Sequence, residues 1–499
     1  MHNIRTCWLA SLGAVLLFFT SAFAEEKDSE TPKSAPGIRV GIAEADITPP
    51  NDFPMAGYYH ERLSLGTVDP LKAKAIVFRD DETSGVLVVC DLIGITTDLA
   101  GEVRKRISEQ TGIPREHVVI SATHSHTAPA YAKELYLFLG DEKQSESRAS
   151  YIEKLIAGPV AAAVDAFENA QPVVLASGAA IQETPVSFNR RSVLRDGSVR
   201  TWLPRSHSEV VKAAGPIDPE IGLLAIRSAD TNELRGVLSN FALHLDTLGG
   251  RSWSADYPSF IERSLRQGNP DDLISIFAAG TCGDINHNNP ENSKRLSTEA
   301  IGNALAESIR GKLADLQPIA NPRLAVHSET LSLKLQDATS EEVRRGVEII
   351  NQVKSGGKVD FYDHVTAHKK IRLDHYRHQT PFVNPTEYIT SGLSRSLAGI
   401  GDSIPVDVTV MTLGDDLAIV CLPGEVFVDL GLAIKQASPF RNTIIVELSN
   451  VVELIYVPHR AAYAGGSYEV TNSTTVPGSG EKLVETAVSL LRKAANDKP

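Results

Sequence analysis

The sequence predicts an α/β fold, with mixed β-sheets flanked by helices in a single large domain. Three observations carry that prediction. Short β-branched runs alternate with longer helical patterns along the chain of 499 residues. No internal repeat or long low-complexity linker divides it. Two apolar runs flank Gly414-Asp415-Asp416 as a hairpin, so the sheet is not purely parallel.

In chain order, Arg5 supplies a positive charge, Cys7 to Phe23 is mostly apolar, and Ala22-Phe23-Ala24 is a small-x-small cleavage site. Residues 1–24 therefore read as an export signal, and the expected location is secreted or periplasmic. Residues 25–37, charged and proline-containing, read as a flexible N-terminus ahead of a domain over 38–499. Strands are expected at Arg39–Ile42, Lys74–Phe78, Val86–Cys90, His117–Ser121, Val173–Ala176, Gly236–Phe241, Leu273–Phe277, Arg323–His327, Val406–Leu413, Leu417–Cys421 and Thr443–Val446. Helices are expected at Leu99–Gln110, Tyr151–Asn169, Tyr257–Gln267, Ser297–Leu313, Ser340–Gln352 and Glu481–Ala495. Ser355 to Asp402 is the least regular region and holds His364, His368, His375 and His378. No Cys, Asp or Glu joins these in a ligand spacing, so an exposed or lid-like insertion is favoured over a metal site.

The net charge of −13 argues against a nucleic-acid partner. No stretch after the signal is long and apolar enough to span a bilayer. Cys90, Cys282 and Cys421 remain once the signal is removed, an odd number that excludes a dense disulfide framework. Buried thiols are the favoured reading, with one disulfide left open. Asn472-Ser-Thr474 matches a glycosylation pattern, read here as a chance occurrence.

The sharpest chemical signal is Ser121-Ala-Thr-His124-Ser-His126-Thr127, after the apolar run His117–Ile120. Sites in α/β sheets gather beyond the carboxyl ends of strands. Two histidines two apart in extended chain point roughly the same way, so one can bind a metal while the other faces a substrate. Alone, the pair reads equally as a polar strand end with hydrogen-bonded imidazoles. His244 ends a second apolar run, Gly236–Leu243, and alone reads as structural. Glu425 follows Leu417–Gly424 and precedes the helical pattern Val426–Gln436, where capping alone would explain it. Taken together, three strand ends supply two His and one Glu, a catalytic zinc set that leaves a position open for water. The chain has no His-Glu-x-x-His, no Gly-x-Ser-x-Gly and no phosphate-binding Gly-x-x-x-x-Gly-Lys.

The ordered motifs resemble those of the neutral ceramidase family. They are Val40-Gly-Ile-Ala-Glu-Ala-Asp-Ile-Thr48, Met55-Ala-Gly57-Tyr58, Thr123-His-Ser-His-Thr127, Asn189-Arg190, Gly215-Pro-Ile-Asp-Pro219 with a strand after it, His244, Ala279-Gly-Thr-Cys-Gly-Asp284, Leu422-Pro-Gly-Glu425 and Tyr456. The resemblance runs from about Ile38 to the final helix. It implies a single catalytic domain in which Zn²⁺ is held by His124, His244, Glu425 and Tyr456. It further implies that His126 acts on the substrate and that Arg190 and Tyr468 contact the reacting group. Arg191 is the rival to Arg190, and the tyrosine spacing favours Tyr468 over Tyr463. Two departures stand out. The family usually carries Ser where this chain has Asn286, which excludes a serine nucleophile there and leaves metal-activated water. The family's C-terminal immunoglobulin-like domain is expected to be absent, which weakens ceramide itself as the substrate.

The expected function is zinc-dependent hydrolysis of an N-acyl amide, ceramide or a related sphingolipid, to fatty acid and sphingoid base. The expected partners are a small-molecule or lipid amide and, peripherally, a membrane surface. The alternatives are a zinc hydrolase of a different amide or ester, and a non-catalytic binding protein on the same scaffold.

Overall fold

Alternation along the strands builds the molecule in four layers. In Ser84–Cys90, Val86 and Val88 face one hydrophobic cluster while Leu87 and Val89 face another. A strand buried on both faces in this way must lie between two layers. The computed structural model describes residues 37–131, 145–270, 272–292, 294–379 and 394–497. The expected export signal and nearly all of the expected flexible N-terminus lie outside the described residues. From Gly37 onward the contacts form one unit.

The larger sheet has nine strands. Its main path runs Ile274–Ala279, Leu234–Phe241, Glu220–Ser228, Gln171–Ile181, Arg39–Asp46, Lys72–Arg79, Ser84–Cys90, Val118–Ala122. The two outermost pairs are parallel and the pairs between them antiparallel. The second sheet has four strands, Leu324–Lys334, Ser403–Leu413, Leu417–Cys421 and Asn442–Val446. Its middle pair is the hairpin expected around Gly414, with Leu413 opposite Leu417. The two sheets meet face to face. Leu87, Val89, Val119, Leu224 and Leu238 of the first share one core with Met411, Leu417, Ile419 and Ile444 of the second.

Helices cover the outer faces. Thr97–Thr111 and Ser145–Glu168 cover half of the larger sheet, and Tyr257–Arg266 and Thr298–Leu313 cover the other half. A Cβ on Gly41 would fall 1.7 Å from the carbonyl oxygen of Ala166, so glycine sets how closely helix Ser145–Glu168 approaches the sheet. Val428–Ala437 and Ser479–Asn496 cover the four-stranded sheet through Ile434, Leu483, Ala487 and Leu491. Caps match their sequence signals. Thr96 and Ser297 accept from the third residue beyond them, and Thr339 forms a reciprocal capping box with Glu342.

Every expected strand and helix is present, most of them longer at one or both ends. The strand expected after Pro219 is Glu220–Ser228, central in the larger sheet. Of the expected exposed or lid-like insertion, the exposed reading is corrected over Phe361–His378. Phe361–His378 is a helix packed on Ser340–Lys354, with His364, His368, Arg372, Leu373 and Tyr376 buried on one face. Polar residues at helical spacing hid that face from a reading based on apolar periodicity. Residues 380–393 of this region lie outside the described residues. Cys90, Cys282 and Cys421 are free and buried. Among the described residues no helix is long and apolar enough to cross a membrane.

Candidate active site

Two short backbone bridges assemble the centre. Beyond the end of strand Val118–Ala122, Ser125 forms a parallel bridge with Leu245, and the His126 amide donates to the Leu245 carbonyl at 3.0 Å. Bridged residues point one way and their neighbours the other, so His124 and His126 emerge beside His244 and Asp246. Glu425–Val426 pairs in parallel with Tyr456–Val457, which puts Glu425 directly opposite Tyr456.

The three imidazoles are locked in one tautomer. The Nδ1 of His124 lies 2.7 Å from the Ile93 carbonyl, that of His244 2.8 Å from Cys282 and that of His126 3.1 Å from Gly57. A carbonyl only accepts, so each Nδ1 carries the proton and each Nε2 presents a lone pair. Those Nε2 atoms converge. His126 and His124 stand 3.4 Å apart at Nε2, and Glu425 Oε2 lies 3.4 Å from Nε2 of both His124 and His244. His244 Nε2 and Glu425 Oε2 are buried without a hydrogen-bond partner. Lone pairs and a carboxylate turned towards one another in a dry site repel unless a cation, or a proton, stands between them. One ligand atom from each of His124, His126 and His244 lies within 4.8 Å of the others. The residues therefore fit a metal ion.

The electrostatics agree. Burial favours the neutral form of His124, but the charge of Glu425 outweighs it and raises the pKa above the ordinary 6.5. Burial pushes His126 down to about 4, with Asp246 opposing, and pushes His244 down to about 3, helped by the Arg190 charge. Burial alone would raise Glu425, yet His124 and His244 hold it well below the usual carboxylate range.

Arg190 donates from Nη2 to the Tyr456 hydroxyl at 3.0 Å and to the Gly283 carbonyl at 2.9 Å, and from Nε to Glu469 Oε1 at 2.8 Å. Arg191 turns away, stacking on Phe427 with its Nη2 on the Gly466 carbonyl. Tyr468 lines the pocket with His124, His126, Glu425 and Tyr456, whereas the Tyr463 hydroxyl is held by Ser473 and Thr475. Glu425 does not cap helix Val428–Ala437; Asp284 accepts from the Val428 amide instead, at 2.9 Å. Asn472 is buried, accepting from the Tyr59 hydroxyl at 2.6 Å, which leaves it no room for a glycan. A separate cavity of about 380 Å³ beside Thr123 is lined by Lys72, Lys74 and Glu262, whose charges pair with one another.

Sequence reasoning missed three groups at the centre. Asp246 Oδ1 lies 3.8 Å from His126 Nδ1 and accepts from Tyr58 at 2.5 Å; its His-x-Asp spacing from His244 was the available signal. Glu469 is wholly buried between Arg190 and Arg191. Arg372, from helix Phe361–His378, lines the pocket.

A buried histidine–carboxylate centre at the strand ends of a layered α/β scaffold defines a candidate metalloenzyme. The chain belongs to the neutral/alkaline non-lysosomal ceramidase family, whose N-terminal model matches residues 38–297. It is similar to the crystal structure of neutral ceramidase from Pseudomonas aeruginosa, with 19% identity and a TM-score of 0.66, over 92% of this chain and 75% of that one. It is also similar to a ceramidase complexed with C2, with 17% identity and a TM-score of 0.68, over 93% and 76% of the two chains. At these identities the likeness establishes the fold.

Proposed function

We propose that this chain is a zinc-dependent hydrolase of N-acyl amides, acting on ceramide or a related sphingolipid. Membership of the neutral ceramidase family supports the substrate class. The observation that carries the metal is the convergence of three proton-locked imidazoles, two of them, His124 and His244, each 3.4 Å from the partnerless oxygen of Glu425. In this reading His124, His244, Glu425 and Tyr456 hold the ion. When bound, zinc supplies Lewis acidity, lowering the pKa of a water to about 7 and polarising a carbonyl oxygen.

The chain's own groups do the rest. His126 is neutral at pH 7, because burial lowers its pKa to about 4, and its free Nε2 accepts the proton of the attacking water. Asp246 and Tyr58 steady the resulting imidazolium from the Nδ1 side. The same proton passes to the amide nitrogen as the C–N bond breaks, and the acyl half leaves as a carboxylic acid. Tyr468 and Arg190 donate hydrogen bonds to the developing oxyanion, with Arg190 positioned by Glu469. The proposal includes one catalytic domain over 38–499 and export directed by residues 1–24.

A second reading makes His126 a third imidazole ligand, and the mutual reach of the three rings favours it. One experiment separates the two. His124→Ala loses bound zinc and activity together. His126→Ala retains one zinc per chain, measured by atomic emission, and loses roughly 10²–10⁴-fold in kcat. Loss of zinc from the His126→Ala protein would establish the second reading, and near-full turnover with zinc retained would remove His126 from the chemistry altogether.

A further inference from the structure

Arg372 is the one residue of the pocket wall whose charge the proposed mechanism does not use. It lies on helix Phe361–His378, and its neighbours along the wall are Tyr59, Tyr468 and Asn472. Only 6% of its surface is exposed. Both Nε and Nη1 are buried and make no hydrogen bond. Among the described residues no carboxylate stands within ion-pair distance of it. Polar groups that share this wall are already engaged: the Tyr59 hydroxyl donates to Asn472 Oδ1 at 2.6 Å, and Asn472 Nδ2 donates to the Tyr468 carbonyl at 3.1 Å.

Among the described residues three other buried arginines have a carboxylate, and a fourth, Arg62, donates to the carbonyls of Ala56, Gly250 and His126. Arg190 and Arg191 share Glu469, and Arg104 has Asp407. A guanidinium cannot shed its proton, so burying one without a counter-charge is strongly unfavourable unless an anion arrives from outside. The planar fork of Arg372 suits an oxyanion: a carboxylate, sulfonate, sulfate or phosphate. A neutral ceramide offers none.

We propose that Arg372 forms an oxyanion subsite in the wall of the metal pocket, and that the amide cleaved there carries an anionic group away from the scissile bond. This rests on the amide-hydrolase reading above. The anion sits on either the amine half or the acyl half of the substrate, and both sources share the same chemistry.

The test uses uncleavable sulfonamide analogues on the zinc-loaded protein, with affinity measured by calorimetry. One pair is N-octanesulfonylglycine and its glycinamide, with the charge on the amine half. The other is 3-(octylsulfamoyl)propanoate and its amide, with the charge on the acyl half. In the pair that fits, the acid binds wild type at least tenfold tighter than the amide. Arg372→Gln removes that preference and Arg372→Lys keeps part of it. Loss of a buried charge partner predicts roughly thirtyfold weaker binding of the acid. If neither pair discriminates, or if Arg372→Gln keeps the wild-type ratio, the subsite does not exist. Turnover of the matching carboxamides, N-octanoylglycine and N-octylsuccinamate, is followed separately. Discrimination without turnover would overturn the hydrolase reading and leave the subsite standing; turnover without discrimination would do the reverse.

Discussion

Replacing Glu425 by Gln tests the centre with almost no change of shape. The carboxylate oxygen is 3.4 Å from two imidazole nitrogens and makes no hydrogen bond. Its proposed work is therefore the attraction of a cation. Unit charges about 4 Å apart interact by about 4 kcal/mol at an effective dielectric of 20, which is roughly three decades in affinity. At zinc about 100-fold above the wild-type Kd, binding stabilises the fold by about 2.7 kcal/mol. With about 2.1 cal/mol/K of unfolding entropy per residue, a chain of this length has about 1 kcal/mol/K at its midpoint. Wild-type Tm should then rise by about 3 °C on zinc loading. The same zinc is only about a tenth of the variant's Kd, so Glu425→Gln should gain about 0.05 °C. The assay is scanning calorimetry of chelator-treated protein with and without zinc. An equal zinc-induced rise in both proteins would show that Glu425 is not a ligand.

Two further outcomes follow from other parts of the site. Glu469→Ala leaves Arg190 and Arg191 buried without their shared carboxylate and should destabilise by about 3–5 kcal/mol, with Glu469→Gln intermediate; a thermal melt within 1 °C of wild type would refute the pairing. The second outcome is a pH effect. His124 has a raised folded pKa, so in metal-free protein its proton stabilises fully below 6.5, and that contribution is lost as pH rises through the folded value. Zinc needs the neutral ring. The zinc-induced gain in Tm should therefore grow from pH 6 to pH 8, and a gain that is flat across that range would exclude competition at His124.

The elements were legible because alternation and helical spacing are local properties. Val86 to Cys90 declares a two-faced strand in five letters, and Thr339 with Glu342 declares a helix start in four. The layering was less legible, since nothing local says that Leu87 and Ile419 share a core. At the site, His124, His126, His244 and Glu425 could be read because each ends an apolar run. The bridges that join them, Ser125 to Leu245 and Glu425 to Tyr456, pair segments far apart in the chain and leave no local trace. Arg372 stayed hidden for a different reason. Its helix buries histidines and an arginine where apolar residues are usually expected, so the pattern read as surface.

The backbone adds an argument independent of the side-chain chemistry. His124 itself has φ of 74°, Ile455 immediately before Tyr456 has 56°, and Ser467 immediately before Tyr468 has 80°. For a β-branched residue such as Ile455 this is a true outlier, and each such position costs about 1–3 kcal/mol. The surrounding bonds hold them there: the His124 amide on the Leu92 carbonyl at 2.9 Å, the Glu425 amide on the Ile455 carbonyl at 2.7 Å, and the Thr201 amide on Ser467 Oγ at 2.9 Å. What the bends achieve is direction. Each turns a side chain out of the sheet or loop that carries it, and two of those side chains, His124 and Tyr468, line the same pocket as Tyr456, the residue that follows the third bend. Three of the ten non-glycine residues with positive φ among the described residues thus sit where separate segments deliver polar groups to one pocket, as a preorganised centre requires.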